Sequence, residues 1–294
     1  MRGSIMTKRL VGGAGVSGIP TLGSMGLDAG VLGGIRLRVD DEQVPLAPRL
    51  RLLFALLVAA GESGVDADLL LEELYAGRPP PTAPAALRVH LAKLRDALEP
   101  GRDRAVSTRV GRSHDRWRLR LEPEECDATL FTAEVGQARA LLDQGDHRSA
   151  VGLLQTALAR WGEPYDGLPG AFFETERGRL AGLRRTAAVD LVHSLLEVGE
   201  ATTARDEAGR LRADDPWDEE LMLLQARATY AASGQEPALS LLRDFAHELD
   251  EELGLEPSPW LREAEQAVLR HDPAWAPVTA TAPGQRRLPP PAAG

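Results

Sequence analysis

Arg88, Lys93 and Arg95 fall within three turns of the stretch ALRVHLAKLRDAL (86–98), and Arg102, Arg104, Arg109, Arg112, Arg116, Arg118 and Arg120 follow it closely. Guanidinium and ammonium groups at this density do one kind of chemistry well, which is to bind anionic oxygens. Between residues 88 and 120 there are ten basic and four acidic side chains, although the whole chain carries a formal net charge of −10. Divided along the chain, the balance is +2 for 1–31, +3 for 32–121, −17 for 122–272 and +2 for 273–294. The basic stretch therefore suits a polyanion, and the acidic part does not.

Other chemistries find no matching residues. The six histidines lack metal-ligand spacing, Cys126 has no CxxC partner, and no G-x-x-x-x-G-K-[ST] loop is present. GAGVSG (13–18) is a formal G-x-G-x-x-G match with Asp40 beyond it. A dinucleotide site needs a helix after the glycines, however, and Pro20, Gly23, Gly26, Gly30, Gly33 and Gly34 oppose one. The expectation is a protein that is not an enzyme and takes no cofactor or metal. A single cysteine cannot close an internal disulfide, and no apolar run approaches the roughly 20 residues that span a bilayer. After Arg2, Lys8 and Arg9, Gly and Pro break the block that an export signal would need. These features predict a cytoplasmic protein without a membrane partner.

The elements that must position the cations come next. A chain of 294 residues, 43% hydrophobic but only 4% aromatic, favours two mainly α-helical domains packed with aliphatic side chains. Residues 1–34 are Gly-rich and predict a flexible N-terminus. IRLRVDDEQVPL (35–46) alternates apolar and charged residues around a polar turn, as in a small hairpin. Helices follow over 49–61, over 66–77 with Asp66 as cap, and from Pro84 to Pro100. VSTRVGRSHDRWRLRL (106–121) reads as two strands around a basic turn. Hairpin, three helices and hairpin together predict a winged helix-turn-helix domain over 35–122, with a small β-sheet and wing.

Beyond it the pattern is helical. Segments 140–158, 194–211 and 228–246 each set a Gly between amphipathic helices, and Gly199 and Gly234 lie 35 apart, close to the tetratricopeptide period of about 34. An all-α, tetratricopeptide-like domain is predicted over 127–272, with a disordered Pro-rich tail over 273–294. Such a stack binds protein along its concave face, unless it is a plain helical bundle. Trp161 and Tyr165 are read as core fillers.

On the third helix a 100° turn per residue puts Leu87, Leu91, Leu94 and Leu98 on one inward stripe. Ala85, Val89, Ala92 and Asp96 then face outward, flanked by Arg88 and Lys93, with Arg95 at the rim. This surface suits a major groove: Val89 or Ala92 against a thymine methyl, Arg88 or Lys93 on guanine, and Arg95 on phosphate. Arg112 and Arg116 would reach from the wing turn to the minor groove or the backbone. The plainer reading is a solvated helix face, and the basic wing beside the helix argues against it.

Taken together, LRVHLAKLRDAL (87–98), CDATLF (126–131) and ELGLEPSPWLREAEQAVLRHDPAW (252–275) resemble the Streptomyces antibiotic regulatory protein family. In that family an OmpR-type winged helix precedes a bacterial transcriptional activator domain. The resemblance covers about four-fifths of the chain. It implies an activator of a secondary-metabolite gene cluster, whose side-by-side protomers, a homodimer on DNA, grip direct repeats in double-stranded promoter DNA. It further implies recruitment of RNA polymerase holoenzyme through its sigma factor and other subunits. His90, Lys93 and Arg95 correspond to the family's H-x-x-R-L-R, with Lys replacing the first Arg. Ala85 stands where relatives often have Asn, and Asp96 where many have Arg; an acidic group there works against phosphate contact. The alternative is a helical-repeat adaptor with a degenerate winged helix that does not bind DNA.

Overall fold

The computed structural model describes residues 26–101, 109–272 and Trp275. Its first strand, β1 (Leu27–Gly30), pairs antiparallel with β2 (Arg36–Val39), which pairs with the short β3 (Glu42–Gln43). Alternation sends Leu37 and Val39 inward and leaves Arg36 and Arg38 outside. Asp40 and Asp41 both take left-handed conformations, at φ 51° and 66°, and form the two-residue turn from β2 to β3. Strand β1 corrects the expectation that residues 1–34 are one flexible segment. Gly33 and Gly34, at φ 85° and 110°, supply the turn into β2, while Ala29, Val31 and Leu32 are buried. Residues 1–25, including GAGVSG, lie outside the described residues.

Helix α1 (Pro48–Ala60) buries the unbroken run Leu53 to Leu57 and occupies the centre of the N-terminal unit. After Gly61 the chain turns into β4 (Val65–Asp66) and α2 (Ala67–Leu74), where the Asp66 carboxylate accepts the Leu69 amide at 2.8 Å. Eight residues with three consecutive prolines lead to α3 (Ala83–Leu98), which buries Ala83, Leu87, Leu91, Leu94 and Leu98. Strands β5 (Val110–Ser113) and β6 (Arg116–Leu119) close on His114 and Asp115, again both left-handed. The expected hairpin gains a third strand, because β4 pairs with β6 and the sheet order is β4-β6-β5.

Among the described residues seven helices follow: α4 (Asp127–Asp143), α5 (His147–Ala159), α6 (Ala171–Glu197), α7 (Ala201–Asp214), α8 (Glu219–Ser233), α9 (Gln235–Glu248) and α10 (Pro259–Leu269). Gly145, Gly199 and Gly234 sit left-handed between α4 and α5, α6 and α7, and α8 and α9, where the sequence pattern puts the turns. Successive helices pack on one another. The 27-residue α6 is longer than expected and extends about 40 Å. In the ELGLEPSPW segment a widened turn, Leu249–Leu253, ends at left-handed Gly254, and Ser258 caps α10 by accepting the Leu261 amide. The main apolar core runs unbroken from β1 and β2 through α1–α3 into α4–α8. A smaller cluster joins α8, α9 and α10.

Candidate nucleic-acid interface

The leucine stripe of α3 fixes which residues the helix turns outward. Ala85, Arg88, Val89, Ala92, Lys93 and Asp96 are exposed, Val89 to 52%. Among the described residues neither Arg88 nor Lys93 has a hydrogen-bond or ion-pair partner, so both cations remain available to a ligand. Half-buried His90 lies near them; burial, then the charges of Arg49 and Lys93, hold its pKa below the ordinary value. The Arg49 guanidinium lies 4.8 Å from the Tyr75 ring centroid, which steadies it beside the helix.

The remaining cations expected at the site divide by what they hold. Arg95 is half-buried: its Nε donates to the Val110 carbonyl at 3.0 Å and its guanidinium lies 5.5 Å from the Trp117 ring centroid. It fastens α3 to β5. Arg116 donates through Nε and Nη2 to the Gly64 carbonyl, at 3.1 and 2.7 Å, and fastens β6 to the turn before β4. Gly64 itself is left-handed, and a Cβ there would lie 2.8 Å from the Trp117 carbonyl oxygen. Arg112 is exposed at the wing, 6.0 Å from the Trp117 centroid and paired with Asp115 at 2.7 Å. Arg109 forms a bidentate pair with Glu125 at 2.5 and 2.6 Å, between the wing and α4. The wing hairpin is thus pinned on three sides before any ligand arrives, while Arg88, Val89, Ala92, Lys93 and Arg112 face solvent together. Arg102 and Arg104 lie outside the described residues.

The segment CDATLF forms a junction with β1 and the turn after it, whose contacts the sequence does not reveal. Asp127, the first residue of α4, accepts the amides of Val31 and Leu32 at 2.9 and 3.1 Å and pairs with Arg36 at 3.0 Å. Burial raises its pKa, against those three donors. Ala29 bridges to Cys126, the Tyr165 amide donates to the Val31 carbonyl at 2.8 Å, and Gly33 donates to the Glu163 carbonyl at 3.0 Å. Tyr165 is buried against Phe173, and Trp161 packs on Phe131 with Arg184 over its ring. The signal in the sequence is CDATLF, an acid placed at a helix start shortly after the basic segment.

The match to known proteins begins at this junction: residues 126–269 match the family described as the bacterial transcriptional activator domain. The matched segment is about half of the chain; it starts at Cys126, the residue bridged to β1, and ends with α10. The chain is similar to the regulatory protein AfsR of Streptomyces coelicolor, 32% identical over 253 residues, covering 85% of this chain and 25% of that protein. It is similar to the transcriptional regulator RedD of the same organism, 31% identical over 239 residues, covering 77% of this chain and 65% of RedD. Among solved structures, Mycobacterium tuberculosis EmbR in complex with a low-affinity phosphopeptide superposes with a TM-score of 0.76 at 27% identity, covering 84% of this chain and 66% of that one. The chain thus spans about a quarter of the length of AfsR. Both the activator domain family and these relatives are regulators rather than enzymes. Among the described residues no helix is long and apolar enough to cross a membrane, and no group of side chains has metal-ligand geometry.

Proposed function

We propose that this protein is a sequence-specific DNA-binding transcriptional activator, in which β1–β6 and α1–α3 form a winged helix-turn-helix and the activator domain engages RNA polymerase holoenzyme. The observation that carries the reading is the outer face of α3. Arg88 and Lys93 are exposed and unpartnered, with Ala85, Val89 and Ala92 small enough between them to let the helix approach base edges. In this reading Arg88 and Lys93 read bases, Val89 and Ala92 meet thymine methyls, and Arg112 contacts phosphate from the wing. Arg95 and Arg116 hold the helix and wing in place, which refines their expected role as direct contacts.

The stacked helix pairs α4–α10 serve as a tetratricopeptide-like platform for polymerase subunits, including the sigma factor, and protomers sit side by side on promoter direct repeats. The resemblance to antibiotic regulators supports a secondary-metabolite cluster as the target, and a cytoplasmic protein acting without a cofactor.

Fluorescence anisotropy on upstream fragments from the gene's own neighbourhood, beside a shuffled duplex and across a salt series, tests the reading. Specific binding should weaken linearly in log salt. Arg88→Ala and Lys93→Ala should each cost about 1–3 kcal/mol and relax base preference at one position, whereas Arg112→Ala should weaken all duplexes alike and flatten the salt slope by about one. Equal affinity for specific and shuffled duplexes, or no binding at low salt, would favour a helical-repeat adaptor. The exposed Asp96 on α3 and the −17 balance of residues 122–272 are the observations on that side.

A further inference from the structure

A cleft of about 690 Å³ opens on the activator domain between α6, α8 and α10, far along α6 from the junction. Val189, Leu223, Leu224, Ala264 and Ala267 form its apolar lining. Two indoles border it: Trp260, which is 71% exposed, and Trp275. An indole left so open on the first turn of a helix adds nothing to the core, and a tryptophan at a cleft edge offers a flat face for stacking.

The polar groups of the cleft are unevenly matched. Arg227 projects into it from α8 with its Nε enclosed and unpartnered, and among the described residues no carboxylate pairs with it. Glu220, the acid nearest in sequence, is already bound to Arg185 at 2.9 Å. His193 stands beside Arg227; desolvation, then the Arg227 charge, lowers its pKa although the residue is exposed, and its ring offers a hydrogen-bonding nitrogen to the same ligand. Glu220 itself, Glu263, Arg270 and Asp272 complete the lining. A buried guanidinium nitrogen without an acceptor is unfavourable until an anionic oxygen arrives.

We propose that this cleft is a binding site for a small aromatic carboxylic acid, its ring against Trp260 and Trp275 and its carboxylate on Arg227 and His193. The volume lies within the range of small-molecule sites. The apolar lining with one unmatched guanidinium is complementary to a planar, singly charged anion. It is a poor match for a polyanion such as nucleic acid, since Glu220, Glu263 and Asp272 stand close by. The site is separate from α3 and does not depend on the reading of the DNA face.

The test is isothermal titration calorimetry of the full chain with 2-naphthoate, and with 2-naphthamide as its uncharged isostere. Saturable one-to-one binding of the acid is expected, about tenfold or more tighter than the amide. Arg227→Gln should remove that preference, and Arg227→Lys should keep part of it. Trp260→Ala should weaken acid and amide alike, with circular dichroism showing each variant folded. Equal affinity for acid and amide, an acid affinity unchanged in Arg227→Gln, or no saturable binding at millimolar concentration would overturn the proposal.

Discussion

Arginine appears in three roles on one small surface, and the surroundings decide which. Arg88 meets only solvent, Arg112 shares itself with Asp115 and a ring, and exposed Arg116 donates through two nitrogens to the Gly64 carbonyl. Alternation along 116–120 is legible in the sequence and gives the direction of each side chain. Where a guanidinium finishes is not, because the carbonyl that holds Arg116 lies 52 residues earlier in the chain. The same holds for Arg95, whose acceptor belongs to a strand beyond the following loop. These differences separate in a thermal unfolding experiment. Arg116→Ala and Arg95→Ala each leave a backbone acceptor without its donor and should lower stability by about 1–2 kcal/mol. Arg88→Ala, at a solvent-facing position, should stay within about 0.5 kcal/mol. If all three variants melt alike, the division into reading and holding residues fails.

Elements were legible where one period dominates. The stripe Leu87, Leu91, Leu94 and Leu98 specifies both the existence and the orientation of α3, and the glycines at 145, 199 and 234 mark turns between helices because each is left-handed there. Strands β1 and β4 escaped because both are short, and β4 also pairs with a strand about fifty residues away. Val65 pairs with Trp117, and Leu27 pairs with Val39 across a turn whose glycines look like those of a loose tail. The glycines of the junction have a more specific reason. A Cβ on Gly162 would lie 2.6 Å from the Cα of Gly33, so the two loops approach as closely as bare backbone allows. Gly162→Ala should push them apart, cost about 1–3 kcal/mol, and speed amide hydrogen exchange at Gly33 and Tyr165. Unchanged exchange at both amides would show that the two loops accommodate a methyl group between them.

At the scale of the molecule, the boundary between the basic and acidic parts of the chain is visible in its charges but not in its core, which passes across it without interruption. Asp127 secures the crossing, being the acceptor for two backbone amides and one guanidinium. Asp127→Ala strands the amides of Val31 and Leu32 and should destabilise the whole chain by about 2–4 kcal/mol while keeping a single cooperative transition. Two separated transitions in the wild-type protein would instead mean that the two parts unfold independently. One practical consequence reaches laboratories that build hybrid regulators. The surfaces that hold the two parts together are scattered over residues 26–36, 126–127 and 162–165, so a cut at residue 126 divides complementary halves of one joint. A hybrid assembled by such a cut would carry mismatched faces and accumulate poorly in cells, whereas one that exchanges only the outward residues 85, 88, 89, 92, 93 and 96 of α3 would leave the joint intact.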